Sequence, residues 1–268
     1  MTPEGLLRTA QIDPLEARIL LVHALGCTRV QLVIRAKDEL LPEQEAAATA
    51  LFARRLQGEP IAYLTGEREF FGLNFRVTPD VLIPRHETEL LVELAVERLP
   101  HGGCALDLGT GSGAIAVALA HTRPDAIVTA CDVSEAALAI ARQNAQQNAV
   151  SVRFVLSDWF RDIDGCFDLI ASNPPYIAAG DPHLSQGDLR YEPASALTDD
   201  ADGLSDLSAI IAGAPAHLNA DGWLLMEHGY DQAAAVRASL SKAGWRQVQS
   251  WRDLAGIERV TGAQRPLN

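Results

Sequence analysis

Apolar residues recur at helical spacing through the first 58 residues. They fall at Leu6-Leu7, then Leu15, Ile19, Leu20 and Val22, then Leu32 to Ile34, then along Ala46 to Leu56. Pro14 and Pro42 suit first-turn positions, where the missing N–H is one that a helix leaves unpaired anyway. These segments predict a small helical bundle. Glu69 to Val77 alternates aromatic and polar residues around Gly72-Leu73-Asn74, which predicts a β-hairpin, and a helix is expected from Glu87 to Leu99. Short β-rich runs then alternate with Ala-rich helical ones. Strands are predicted over 104–108, 126–132, 152–156, 167–172, 223–227, 245–251 and 257–261, with a helix over Ala114 to His121. The alternation predicts an α/β fold with a seven-stranded, doubly wound sheet. The expected division is a helical domain over 1–66, a hairpin linker over 67–80 and the main domain over 81–268.

The strand ends carry the candidate chemistry. Asn173-Pro174-Pro175-Tyr176 follows the apolar run Phe167 to Ser172. Two consecutive prolines cannot donate ladder hydrogen bonds, so the strand stops there, and Pro174 pushes Asn173 toward extended geometry. The result is a stiff loop presenting one amide and one aromatic ring where open α/β sheets hold their ligands. Such a pair suits a planar NH₂ group, which an amide oxygen can accept from and a ring can cover. A plain strand-terminating turn has the same sequence signature.

The second candidate is Asp107-Leu108-Gly109-Thr110-Gly111-Ser112-Gly113, between a strand and a helix. Its glycines allow a sharp turn and close ligand approach next to a helix N-terminus. A dinucleotide fold is the competing reading, but its fingerprint is G-x-G-x-x-G and the spacing here is G-x-G-x-G. Asp107 on the strand also fits a cationic ligand better than a pyrophosphate. Asp132 ends the next strand about twenty residues on, where an acid takes ribose hydroxyls. Asp158 could accept from an adenine amino group, and Trp159 could pack on the base or serve the core. Together these strand ends describe a nucleoside pocket beside an amide-holding loop.

Composition narrows the partners. The 268 residues suit one main domain with a small accessory unit, and no apolar run reaches membrane-spanning length. No signal-peptide core is legible at the N-terminus, so a cytoplasmic protein is expected. Cys27, Cys104, Cys131 and Cys166 lack metal-ligand or C-x-x-C spacing and are expected to be reduced and mostly buried, with no metal site. The net charge of −13 argues against phosphate-backbone binding. Asp181, Asp188, Glu192, Asp199, Asp200, Asp202 and Asp206 crowd one segment after the Asn-Pro-Pro-Tyr loop, with Arg190 the one base among them. An acidic rim of this kind favours a basic protein partner over DNA.

The chain resembles the S-adenosylmethionine-dependent methyltransferases that carry an Asn-Pro-Pro-Tyr motif, and more narrowly the bacterial peptide chain release factor N5-glutamine methyltransferases. The likeness spans nearly the whole chain. It includes Pro60 to Gly66, Glu69 to Phe75, Val81-Leu82-Ile83-Pro84-Arg85-His86-Glu87-Thr88-Glu89, the glycine loop, Asn173 to Tyr176 and Tyr191-Glu192-Pro193. His86 stands where that family usually has proline. The resemblance implies a Rossmann-like methyltransferase sheet with an antiparallel end, and a helical domain that recognises substrate. It also implies methylation of the glutamine in the Gly-Gly-Gln loop of class 1 release factors, which modulates translation termination. Asn173, Pro174, Pro175 and Tyr176 would be catalytic, with the Asn173 oxygen and Pro174 carbonyl accepting the amide N–H bonds. Asp107, Gly109, Thr110, Gly111, Ser112, Gly113, Asp132, Asp158, Trp159 and Asn173 would hold S-adenosylmethionine. Phe71, Arg85 and Glu87 could line the site, Arg85 alternatively pairing across the domains, while Glu227 and His228 are expected to be structural. No nucleic-acid or membrane partner and a monomeric state are expected. The competing activities are methylation of a ribosomal-protein glutamine, methylation of DNA adenine, and cofactor binding without catalysis.

Overall fold

The computed structural model describes residues 1–266. Residues Met1–Glu67 with Gln186–Tyr191 make one compact unit, and Arg68–Ser185 with the chain from Glu192 onward make the other.

The first unit holds α1 (Pro3–Thr9), α2 (Pro14–Leu25), α3 (Arg29–Ile34), α4 (Pro42–Leu56) and α5 (Ile61–Thr65). Pro14 and Pro42 open their helices, as the sequence predicts. Asp13 caps α2, and Thr28 with Gln31 forms a reciprocal capping box on α3, satisfying N–H groups that helix starts leave unpaired. Leu6, Leu21, Leu32 and Ala48 form its core, and Arg55 reaches Glu16 with two hydrogen bonds of 2.7 and 2.8 Å. Val30, Val33 and Ile34 of α3 stay exposed.

The second unit begins with a hairpin, β1 (Glu67–Phe70) and β2 (Leu73–Arg76). Its turn lies at Phe71-Gly72, both with positive φ, two residues ahead of the Asn74 end of the expected turn. Two-residue turns that match strand twist need positive φ at both central positions, and Gly72 supplies the second, so Leu73 and Asn74 stay extended. Phe70 and Phe75 are fully buried in the core of this unit. Asn144 accepts from the Arg76 N–H at 2.7 Å and donates to its carbonyl at 3.0 Å, tying β2 down.

After the hairpin come α6 (Glu89–Arg98), β3 (Cys104–Leu108), α7 (Ala114–Thr122), β4 (Ile127–Asp132), α8 (Glu135–Gln147), β5 (Arg153–Leu156) and β6 (Phe167–Ser172). α9 (Ser205–His217), β7 (Leu218–Glu227), α10 (Ala233–Lys242), β8 (Arg246–Arg252) and β9 (Glu258–Gln264) complete it. The sheet runs β5-β4-β3-β6-β7-β9-β8, with β9 antiparallel to both of its neighbours. Consecutive strand residues enter opposite cores. Leu225 packs with α6 and α7, while Leu224 and Met226 pack with α9 and α10. Burial on both faces explains why these strands read as continuous apolar runs rather than alternating ones.

Two expectations are corrected. All four cysteines are free, but only Cys131, inside β4, is buried; Cys27 and Cys104 are half-buried and Cys166 is exposed in the turn before β6. Arg85 pairs with Glu192 of its own unit rather than across the units. Among the described residues no helix is long and apolar enough to cross a membrane.

Candidate active site

The strand order reverses between β3 and β6, and those two strands pair in parallel with Leu108 opposite Ser172. The glycine loop and the Asn173 loop therefore leave the sheet side by side, at the point where open α/β folds form their crevice. A cleft of about 410 Å³ lies there. Gly109, Thr110, Gly111, Ser112, Asp132, Asp158, Trp159, Asn173 and Pro175 all face it.

The floor is built from backbone donors and two acids. Gly109 and Thr110 donate to the Cys131 carbonyl at 3.0 and 2.9 Å, and Gly111 donates to Asp132 Oδ2 at 2.8 Å. The other Asp132 oxygen accepts from the Ser134 N–H at 2.9 Å, which fixes the carboxylate at the mouth of the loop. Gly111 has φ +54°, and a Cβ there would meet no atom within 4 Å. A Cβ on Gly113, at φ +83°, would come within 3.1 Å of Ala141 Cβ, so this glycine serves helix packing. Asp107 sits behind the loop, buried. Its Oδ2 accepts from Thr110 Oγ1 at 2.6 Å and from the Ala116 N–H at 3.1 Å, while Oδ1 has no partner among the described residues. Burial pushes the Asp107 carboxyl up to about 7 against the pull of those hydrogen bonds, and Asp132 nearby raises it further. Burial also raises Asp132.

The amide-bearing loop is held from one side. Asn173 Nδ2 donates to the buried Thr88 hydroxyl at 3.3 Å, and Asn173 Oδ1 makes no hydrogen bond among the described residues. Pro174 is buried and Pro175 lines the cleft. The Tyr176 ring packs against the core between the sheet, α9 and α10, and its hydroxyl donates to Glu227 Oε1 at 3.3 Å. Burial raises the Tyr176 hydroxyl, so it stays protonated. Tyr176 therefore stands behind the cleft wall, with Asp107, Gly113 and Pro174.

Thr88 lines the cleft and carried no assigned role in the sequence, whereas Arg85 was expected there. Arg85 lines the cleft and donates from Nη2 to both oxygens of Glu192, whose side chain is fully buried, at 2.7 Å each. This joins the Pro79–Thr88 wall to the segment of Pro193, Ser195 and Ala196 on the same cleft. Asp206 also lines it, its carboxyl raised chiefly by burial and next by the charge of Asp199. Phe71 and Glu87 do not reach the cleft; Phe71 donates its N–H to Glu89 at 3.1 Å and Glu87 is exposed. Among the described residues, Asp80, Asp132, Asp158 and Asp206 face the cleft against Arg85 alone, whose charge Glu192 already meets. That balance suits a cationic ligand and opposes a pyrophosphate. No group of residues suited to hold a metal ion is found among the described residues.

Comparison with known proteins agrees with this geometry. Residues 86–187 match the methyltransferase small domain family, and residues 4–66 match the PrmC N-terminal domain family. The release factor glutamine methyltransferase of Burkholderia pseudomallei is 54% identical over 99% of this chain and 96% of that protein. That of Escherichia coli is 45% identical over 95% of this chain and 93% of its own length. A Pyrococcus furiosus methyltransferase structure superposes with a TM-score of 0.57 at 23% identity, covering 80% of this chain and 98% of that one, a likeness of fold. The cleft at the switch point, the two family matches and this near full-length identity together mean that the chain belongs to the release factor glutamine methyltransferases, which are S-adenosylmethionine-dependent enzymes.

Proposed function

We propose that this chain methylates the side-chain N5 of the glutamine in the Gly-Gly-Gln loop of class 1 release factors, and that the cleft beside Asn173 is where it does so. The observation that carries the reading is the orientation of Asn173. Its amide nitrogen is engaged by Thr88, its oxygen makes no hydrogen bond among the described residues, and the residue lines the cleft.

The residues fit S-adenosylmethionine. Asp107 Oδ1 is a buried oxygen without a donor among the described residues, and both Asp107 and Asp132 have carboxyls raised by burial, so a nearby positive charge relieves each. The open face of Gly111 leaves room above the loop. Gly109, Thr110, Gly111, Ser112 and Gly113 would shape the cradle, with Asp107 toward the amino-acid end. Asp132 would take the ribose, and Asp158 and Trp159 the adenine. When bound, the group supplies a methyl made electrophilic by its sulfonium sulfur.

An amide nitrogen is a poor nucleophile because its lone pair is shared with the carbonyl. Asn173 Oδ1 and the Pro174 carbonyl accept its two N–H bonds, which raises electron density on nitrogen and fixes its direction. The same acceptors meet the positive charge that grows on nitrogen. No strong base is required, since the N–H proton becomes acidic as that charge develops and would pass to water, with S-adenosyl-L-homocysteine as the other product. Tyr176, anchored on Glu227, stiffens the loop from behind. The helical unit would recognise the release factor, and its exposed Val30, Val33 and Ile34 give it an apolar face for doing so.

The test is transfer of radiolabelled methyl to four acceptors: release factor, its Gln-to-Ala loop variant, a ribosomal protein fraction and duplex DNA. Label on the intact release factor and not on the loop variant is expected. Label on the ribosomal fraction or DNA alone would overturn the acceptor.

A further inference from the structure

Of the four residues that lead from β6 to Ile177, Pro174 and Pro175 have no N–H by which the loop could be held. The aim of its acceptors therefore depends on what grips its two ends. The near end is fixed to β3, with Ser172 Oγ donating to the Leu108 carbonyl at 2.8 Å. The far end is gripped by Gln232, the residue before α10. A polar side chain at that position ordinarily caps the helix, but this one makes no cap hydrogen bond. Gln232 Oε1 instead accepts from the Gly229 N–H at 2.8 Å, and Nε2 donates to the Tyr176 carbonyl at 2.9 Å and the Gly203 carbonyl at 3.1 Å. A backbone N–H only donates and a carbonyl only accepts, so the amide has one workable orientation and makes all three contacts at once.

We propose that Gln232 is a positioning residue of the methyl transfer, which sets the aim of the Asn173 and Pro174 acceptors by clamping the Tyr176 carbonyl to Gly203. The inference rests on the reading that Asn173 Oδ1 and the Pro174 carbonyl accept from the substrate amide. Gln232 does not line the cleft and acts through the loop. Gly203 is where the clamp closes. Its φ is +79°, and a Cβ there would collide with the Tyr176 carbonyl oxygen and come within 2.9 Å of Gln232 Nε2. The chain on either side runs alongside the loop's exit. Ile177 donates to the Leu197 carbonyl at 2.9 Å and Ala179 to that of Ala201 at 2.8 Å, while Asp199 Oδ1 accepts from the Gly203 N–H at 2.9 Å. The same segment lines the cleft through Pro193, Ser195, Ala196 and Asp206. The clamp thus fixes the acceptor loop against a second wall of the cleft.

The base of the clamp is itself pinned to the sheet. His228 Nδ1 donates to the Gly229 carbonyl at 2.9 Å, and Nε2 accepts from Thr261 Oγ1 at 2.7 Å. Thr261 Oγ1 accepts from Ser250 Oγ at 2.7 Å, and Ser250 Oγ from Arg237 Nη1 at 2.6 Å. Arg237 can only donate and the Gly229 carbonyl can only accept, so with neutral His228, the form that burial favours, each proton has one direction. The stretch after β7 therefore holds Tyr176 twice, at the hydroxyl through Glu227 and at the carbonyl through Gln232.

The experiment compares Gln232→Glu, Gln232→Met, Gly203→Ala and Asn173→Ala in the full chain, with kcat counted per cofactor-binding molecule so that unfolded protein does not enter. Gln232→Glu keeps the acceptor for Gly229 and removes the two donors, and Gln232→Met removes all three contacts at similar length. Each is expected to lower kcat about 10- to 100-fold, the scale of a reacting group misplaced by about 1 Å. Affinity for S-adenosylmethionine should change little, because the glycine loop and Asp132 are untouched. Gly203→Ala should lower kcat in the same way by displacing the Tyr176 carbonyl. In the Asn173→Ala background Gln232→Met should cost less than it does alone, since one of the two acceptors it aims is already gone. Gln232 variants with unaltered kcat beside a crippled Asn173→Ala would overturn the inference and leave the proposed function standing. So would a loss confined to melting temperature or cofactor affinity, or losses that multiply in full in the double variant. Near-normal turnover by Asn173→Ala would instead remove the underlying reading of Asn173, and this inference with it. Should the Gln232 variants not fold, an unaltered kcat in Gly203→Ala overturns the inference without them.

Discussion

Asp107→Asn separates what the buried acid costs the fold from what it gives the site. The substitution keeps the shape and one oxygen for Thr110 Oγ1 and the Ala116 N–H, and it puts an NH₂ where Oδ1 has no partner among the described residues. The folded-state carboxyl titrates at about 7 and its ordinary value is 3.8, so between those pH values the native protein holds a proton that the unfolded chain has released. Stability must therefore fall as pH rises through that window and level off above about 7. A gap of about three pH units bounds the cost at about 4 kcal/mol. Asp107→Asn escapes that cost. At pH 8 the variant should melt higher by up to about 8 to 16 °C, at about 2 to 4 °C per kcal/mol, with the difference shrinking to nothing near pH 4. Titration calorimetry with S-adenosylmethionine should show the reverse preference, with the variant binding more weakly because a buried negative charge behind the cleft wall, which a cation in the cleft would relieve, is gone. The assay is a series of thermal melts from acid to mildly alkaline pH, with and without cofactor. A melting difference that does not vary with pH would refute the argument that this carboxyl is buried at a folding cost.

Asn173→Ala should cut kcat about 10²- to 10³-fold, as loss of one preorganised polar contact to the reacting group does, with thermal stability nearly unchanged because one 3.3 Å hydrogen bond is lost. Single-turnover methyl transfer beside a melting curve checks both. Gly111→Ala and Gly113→Ala should fail in different ways. The first pays about 1 kcal/mol for its left-handed backbone and loses cofactor affinity, read by calorimetry, since its methyl points into open space. The second should lose more stability, read by melting, since its methyl meets Ala141 Cβ at 3.1 Å. His86→Pro should fold and gain up to about 1 kcal/mol in a denaturant melt. His86 is the first residue of a 3-10 turn, Arg85 before it is already extended, and the exposed contact with Glu89 is a small loss.

How far the sequence carried depended on whether a feature is local. β6 could be bounded at Ser172 because two prolines cannot pair in a ladder, and it ends there. Pro14 and Pro42 marked helix starts for the same kind of reason. The hairpin turn slipped because Phe71 adopts positive φ, a conformation that its residue type does not advertise. Cys166 read as buried by residue type alone, yet the turn it occupies lies at the surface. In the site, the glycine loop, Asp132, Asp158, Trp159 and Asn173 were legible because each sits next to a strand end that the pattern locates. Thr88 and Glu192 had no such signal. Their partners Asn173 and Arg85 are 85 and 107 residues away in the chain, and only the packed fold brings them together. Tyr176 was expected over the substrate amide. Its ring instead finds the core and its hydroxyl finds Glu227, 51 residues on, a contact set by the pairing of β6 with β7.

The central claim is that this chain places a methyl on the glutamine nitrogen of a release factor. The most direct measurement is peptide mass spectrometry of a release factor after incubation with the enzyme and S-adenosylmethionine, with fragmentation across the Gly-Gly-Gln loop. The account predicts one added methyl, located on the glutamine side chain and absent when Asn173→Ala replaces the enzyme over the same time. A methyl on any other residue, or none on the release factor while another acceptor is modified, would contradict it.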